Sequence, residues 1–277
     1  MQVVRKISEL RLLRDELDGR VGFVPTMGYL HEGHLALVKQ ARAENSAVIV
    51  SIYVNPAQFG PREDFAAYPR DLNRDLKLLR DAGVDIVFVP TDDEMYPPEF
   101  STWVDVEKVT GTLEGASRPG HFRGVATVVA KLFNIVRPSR AYFGQKDAQQ
   151  VIVIKRMVAD LDMRIEVVVV PTLRETDGLA MSSRNSYLNR EERQAAAVLF
   201  KALTLARRLK REGVTDAEQI RRQMVSLIRK EPLAAIDYVS IAHVDTLQEM
   251  DRIEGPALAS LAVRIGRTRL IDNTILE

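Results

Sequence analysis

Apolar positions along the chain alternate between short near-continuous runs and a three-to-four-residue repeat, and this alternation predicts the elements. Ser8 is placed to cap a first helix on which Leu10, Leu13 and Leu17 share a face, ending near Gly19. Val21–Val24 reads as a short buried strand bounded by Gly and Pro, and Leu35, Leu37, Val38 and Ala41 then follow helical spacing to about Glu44. Ala47–Val54 is a second apolar strand, the pattern of a parallel sheet covered on both faces. Asp71 caps a helix carrying Leu72, Leu76 and Leu79, Gly83 closes it, and Val84–Val89 is a third strand. Thr91–Pro98 reads as loop and Ser101–Val106 alternates like an edge strand. Val125–Val136 is apolar nearly all round and predicts a buried helix. Arg140–Phe143 is a strand, a helix runs to about Asp160, and Ile165–Val170 is the strongest strand of the chain.

Beyond Asn185 the texture changes. Arg190–Glu212 predicts one long amphipathic helix, with Leu199, Leu203, Leu205 and Leu209 and an end near Gly213. Asp216 caps a second helix bearing Ile220, Met224, Leu227 and Ile228, and strands follow over Ile236–Val244, Leu258–Ile265 and Thr268–Ile271. The expected fold class is therefore α/β: a doubly wound, Rossmann-like parallel sheet over residues 1–175, then a smaller α+β lid domain of helices and an antiparallel sheet over 176–277.

Composition narrows the chemistry. With 39 basic against 38 acidic residues in 277, nothing calls for nucleic acid or an anionic membrane surface. The absence of cysteine excludes a disulfide scaffold and a thiol nucleophile, and it fits a soluble intracellular enzyme. The first residues lack a signal-peptide core, and apolar runs such as Val167–Val170 are too short to span a bilayer.

Six polar stretches separate these elements. Pro25–His34, a strand-to-helix turn, holds Gly28, Gly33, His31 and His34, and a helix N-terminus there favours anionic oxygens. His31 and His34 at that position add hydrogen-bond donors, and positive charge when protonated. The pair lacks the His-Glu-x-x-His spacing of metalloproteases, which weakens a zinc reading. Asn55–Gly60 offers Gln58, a donor and an acceptor at a strand end, although local evidence alone favours a solvated loop amide. Pro61–Pro69 is a proline-bounded flap. Ser117–Gly124 carries Arg118, His121 and Arg123 into a helix. Gly144–Gln150 carries Lys146, a point charge for phosphate, and Asp147, a helix cap or a partner for hydrated Mg²⁺. Leu173–Asn185 carries Ser182, Ser183 and Arg184, two hydroxyls beside a planar charged fork.

His31-Glu32-Gly33-His34 resembles the His-x-Gly-His signature of the nucleotidylyltransferase superfamily, and the longer Pro25–His34 string resembles the pantothenate synthetase (pantoate–β-alanine ligase) family. Gly144–Asp147 and Met181–Arg184 resemble that family's second and third ATP segments, so the matching motifs are spread from Pro25 to Asn185, roughly two thirds of the chain. The resemblance implies ATP-dependent condensation of pantoate with β-alanine through a pantoyl adenylate. It implies an ATP site of Met27, Gly28, Tyr29, Leu30, His31, Glu32, Gly33, His34, Gly144, Gln145, Lys146, Asp147, Leu173, Met181, Ser182, Ser183 and Arg184. His34, His31, Lys146 and Arg184 become the catalytic candidates, Gln58 and Gln150 the pantoate contacts, with β-alanine also near Gln58. Tyr68, Arg118 and His121 are further site candidates, and Asp75 is a candidate neighbour of Mg²⁺, otherwise held by the ATP phosphates. A cytoplasmic homodimer is the implied setting. A nucleotidylyltransferase that keeps the nucleotide on its product, and a catalytically silent nucleotide-binding module, are the rival readings.

Overall fold

The computed structural model describes residues 1–61 and 63–277, so Arg62 of the Pro61–Pro69 flap lies outside the described residues. Six strands, β1 (Gln2–Val4), β2 (Val21–Thr26), β3 (Ala47–Ile52), β4 (Ile86–Phe88), β5 (Arg140–Gly144) and β6 (Glu166–Val170), form one parallel sheet in the order β1-β4-β3-β2-β5-β6. Between them run α1 (Ile7–Asp15), α2 (Glu32–Glu44), α3 (Leu72–Asp81), α4 (Asp92–Met95), α5 (Leu113–Ser117), α6 (His121–Val136) and α7 (Ala148–Asp160).

Successive side chains of one strand serve opposite cores. Phe23, Ile49 and Phe88 join Leu10 and α6 on one face, while Val24, Val50 and Val87 join Val38 and Leu79 of α2 and α3 on the other. This two-sided burial is why the central strands read as unbroken apolar runs. Strand β2 pairs with β3 on one side and β5 on the other, so the sheet winds outward in both directions from β2. Loops leaving the C-terminal ends of β2 and β5 consequently diverge, and a crevice opens between them.

The C-terminal region has α8 (Arg190–Ala195), α9 (Val198–Arg211), α10 (Ala217–Ile228) and an antiparallel sheet of β7 (Ala234–His243), β8 (Ala257–Ile265) and β9 (Thr268–Leu276), with its own core around Leu199, Leu203, Ile220, Met224 and Leu261. No helix among the described residues is long and apolar enough to cross a membrane.

Several local expectations are corrected. Helix α1 starts at Ile7, one residue before Ser8 and with no side-chain cap; the Ile7 N–H donates instead to Glu94 Oε1 at 2.7 Å. Ser101–Val106 is not a strand, because the Val104 N–H donates to Thr127 Oγ1 on α6 at 3.0 Å and Trp103 stacks on Tyr96. Thr91 caps the short helix α4 inside the expected loop. The long helix expected over 190–212 is interrupted between α8 and α9, where Ala197 and Leu199 each bond three residues back. Alanine, the best helix former, hides such a break from periodicity. Strand β9 extends past Ile271 because it pairs with β8 as far as Leu276, with the polar residues Asp272 and Asn273 buried within it.

Candidate active site

The turn after β2 is built from the inside out. Gly28 has a φ of +80°, and a Cβ there would lie 2.9 Å from Ile52 Cγ2, so only glycine makes this bend comfortably. Asp75, 1% exposed, reaches up from α3 and accepts the Tyr29 N–H at 2.7 Å and the Leu30 N–H at 2.8 Å. His31 then caps α2: its Nδ1 accepts the Gly33 N–H at 3.1 Å, while His34 Nδ1 accepts the His31 N–H at 3.3 Å. A Cβ on residue 33 would sit 2.8 Å from the folded-back His31 ring. The His-x-Gly-His spacing is thus a histidine version of a reciprocal capping box.

The same geometry fixes the rings' chemistry. With Nδ1 accepting in both, the neutral rings carry their protons on Nε2. Burial, with a contribution from Lys146, lowers the His31 pKa to about 4; burial and then His31 lower that of His34 to about 3. The ring centroids are 4.1 Å apart, which disfavours a second proton charge. Both histidines are therefore neutral donors at neutral pH, which corrects the expectation that they add positive charge.

That charge comes from Lys146 and Arg184. Lys146 stands on the 3₁₀ turn Gln145–Asp147 after β5, with its Nζ 3.4 Å from Asp147 Oδ1. Burial raises the Asp147 carboxyl, but the charges of Lys146 and Arg184 outweigh it and leave its pKa lowered. Asp147 heads α7 without capping it. Opposite, Ser182 caps the 3₁₀ turn Ser183–Tyr187, and Ser183 Oγ donates to Tyr29 O at 3.2 Å, tying this loop to the histidine turn.

Gln58 lies in the 3₁₀ turn Pro56–Gln58, which Asn55 caps, and its Nε2 approaches Met27 Sδ of the histidine turn at 3.2 Å. Asn55, 1% exposed, donates to Gln58 Oε1 at 3.0 Å and to Gly124 O at 3.2 Å. His121 Nδ1 donates to Gln58 O at 2.8 Å, since its Nε2 must accept from the Arg118 guanidinium at 3.0 Å. Burial and Arg118 lower the His121 pKa to about 4. Arg118 also pairs with Glu63 through two bonds of 2.7 Å. Arg118 and His121 line the cleft yet spend most of their bonding capacity on its walls.

One cleft of about 1160 Å³ gathers most of the candidates: Met27, His31, Gly33, His34, Gln58, Tyr68, Arg118, His121, Gly144, Lys146, Asp147, Gln150, Leu173, Met181, Ser182, Ser183 and Arg184. It is large enough for a nucleotide and a second small molecule. Gly28 and Tyr29 shape the turn without lining it, and Glu32 faces a side recess with Arg74 and Glu175. Leu30 is fully buried and belongs to the core under the turn. Gln145 turns away, its Nε2 bonded to Asn273 Oδ1 at 3.1 Å.

Asp75 is also corrected. Its two oxygens serve the turn backbone, so it anchors that turn and is not free as a metal neighbour. Among the described residues no group of three or more His, Cys, Asp or Glu converges as a metal cage. Asn55, Glu63, Asp64 and Asn273 are not marked by the sequence as site residues; the cleft partners of the last three lie far away in the chain, which leaves no spacing to read.

Known proteins resemble this chain over its whole length. The model of the family described as pantoate-beta-alanine ligase matches residues 2–275. A curated pantothenate synthetase from Roseiflexus castenholzii is 61% identical over 277 residues, covering 100% of both chains. The crystal structure of pantothenate synthetase from Thermus thermophilus superposes with a TM-score of 0.95 at 51% identity, covering 99% of each chain. A pantoate-beta-alanine ligase from Francisella tularensis, complexed with beta-gamma ATP and beta-alanine, matches with a TM-score of 0.82 at 35% identity, covering 99% of this chain and 97% of that one.

Proposed function

Because the chain belongs to the pantoate–β-alanine ligase family and is an ATP-dependent ligase of that type, we propose a specific division of labour within its cleft. The observation that carries it is convergence. Three loops with phosphate-directed groups, bearing His31 and His34, Lys146, and Ser182 to Arg184, meet at the crevice beside two amide side chains, Gln58 and Gln150.

ATP lies along the three loops, and pantoate lies on Gln58 and Gln150 with β-alanine close to Gln58. The pantoate carboxylate attacks the α-phosphorus; a new P–O bond forms as the bond to the β-phosphate oxygen breaks, and pyrophosphate leaves with that electron pair. The β-alanine amine then attacks the acyl carbon of pantoyl adenylate, AMP departs and the amine loses a proton. The barrier of the first step is electrostatic, since charge accumulates on the departing pyrophosphate. Lys146 and Arg184 meet it with full charge and His31 and His34 with neutral Nε2–H donors. Held near pKa 3 by burial, His34 acts as a hydrogen-bond donor and not as the source of a proton.

The same reading has Mg²⁺ arriving on the ATP phosphates. It places the enzyme in the cytoplasm as a homodimer and puts the domain boundary at residues 175 and 176; family membership and the change of texture after β6 support these parts. Product analysis tests the whole: AMP, pyrophosphate and pantothenate should form in equal amounts. A stable adenylylated product would contradict it.

A further inference from the structure

The loop that carries Lys146 has no side-chain cap of its own, either at its 3₁₀ turn or at the start of α7. It is held from the other end of the chain. Asn273 on β9, 4% exposed, donates from Nδ2 to Gln145 O at 2.9 Å and to Lys146 O at 2.8 Å, and its Oδ1 accepts from Gln145 Nε2 at 3.1 Å. Both amide protons and the amide oxygen are thereby used.

Asn273 is itself fixed. Its N–H donates to Asp272 Oδ1 at 2.8 Å, and Asp272, 2% exposed, takes a bidentate pair from Arg174 at 2.6 and 2.9 Å. Arg174 follows Leu173 at the entry to the loop that bears Arg184. Two adjacent residues of β9 thus reach two of the three phosphate-directed loops. A lysine ammonium sits on a flexible four-carbon stem, so the backbone at residue 146 is what defines where the charge can go.

We propose that Asn273 is a positioning residue for adenylation: its side-chain amide sets the backbone of Gln145 and Lys146, and through it the reach of Lys146 toward the phosphates. The inference rests on the reading of Lys146 as a phosphate ligand. With its amide groups spent on Gln145 and Lys146, Asn273 acts through that loop.

The test uses the full chain and four variants: Asn273→Ala, Asn273→Asp, Lys146→Ala and the Asn273→Ala/Lys146→Ala double substitution. Pantoate-dependent ATP–pyrophosphate exchange, amide formation from supplied pantoyl adenylate, and thermal unfolding are measured on each. Both Asn273 variants should lose about tenfold to a hundredfold in kcat/KM for ATP, the usual result of misplacing a reacting group by a fraction of an ångström to one ångström. Asn273→Asp should be at least as poor as Asn273→Ala, because it keeps the size but sets carboxylate oxygens against two carbonyls. Amide formation should stay near wild type, and the double variant should be no worse than Lys146→Ala. Losses that multiply in the double variant would overturn the inference, as would equal damage to both half-reactions. A normal Asn273→Ala enzyme beside a crippled Lys146→Ala enzyme removes the inference alone. An unimpaired Lys146→Ala enzyme removes the reading of Lys146 and the inference with it.

Discussion

Asp64 and Arg184 close on each other across the mouth of the cleft: the guanidinium Nε and one NH₂ group each donate to a separate carboxylate oxygen at 2.9 Å. Tyr187 adds a bond from its hydroxyl to Asp64 at 3.2 Å, and the Arg184 guanidinium lies 5.8 Å from the centre of the Tyr68 ring. In this state the arginine assigned to the phosphates is occupied by a carboxylate of the flap.

A phosphate that takes the Nε and NH₂ edge of Arg184 used by Asp64 must displace that carboxylate. Asp64→Asn should therefore tighten binding of a non-hydrolysable ATP analogue by about fivefold, the equivalent of roughly 1 kcal/mol for a partly exposed pair. Calorimetric titration reads this directly. Weaker binding in the variant would mean that Asp64 helps to hold the nucleotide.

Gln58 and Gln150 line the cleft beside the phosphate-directed loops. Replacing either with Ala should raise the pantoate KM by about tenfold to a hundredfold, the worth of a hydrogen bond to a charged group, with ATP binding nearly intact. Steady-state kinetics with each substrate varied separately would show it. Parallel losses for ATP and pantoate would put the pantoate pocket elsewhere.

The histidines make folding stability depend on pH. His31 and His121 are lowered to about 4 and His34 to about 3, chiefly by burial, whereas an unfolded histidine titrates near 6.5. Between those values the unfolded chain binds more protons than the folded one, so stability is full above about pH 6.5 and falls as the pH drops toward 4. Tm measured from pH 7.5 to 4 should decline across this window, and His34→Gln should make the decline shallower. An unchanged slope in the variant would show that His34 is not held neutral.

The parts of the molecule legible in its sequence are those whose signal is local. Strands β2 and β3, buried on both faces, announce themselves as apolar runs, and the His31–His34 turn carries its own glycine and histidine spacing. Strand β1 leaves no run because only Val4 of its three residues is buried. The role of Asp75 is illegible, since it depends on two N–H groups that precede it by more than forty positions. The neutrality of the histidines is equally hidden, because burial and ring-to-ring approach arise only once the turn has folded. Asn273 shows the limit most plainly: a polar residue late in an apolar strand reads as an interruption until its partners, 127 and 128 positions away, are in place.

The central claim, that adenylation is a separate step driven by the three converging loops, is tested most directly by ATP–pyrophosphate exchange with pantoate present and β-alanine absent. The wild-type enzyme should catalyse exchange under these conditions, and His34→Ala should lose about 10²–10³ of that rate, as expected for removing one positioned donor. No exchange by the wild-type enzyme, alongside full synthesis when all three substrates are supplied, would contradict the account.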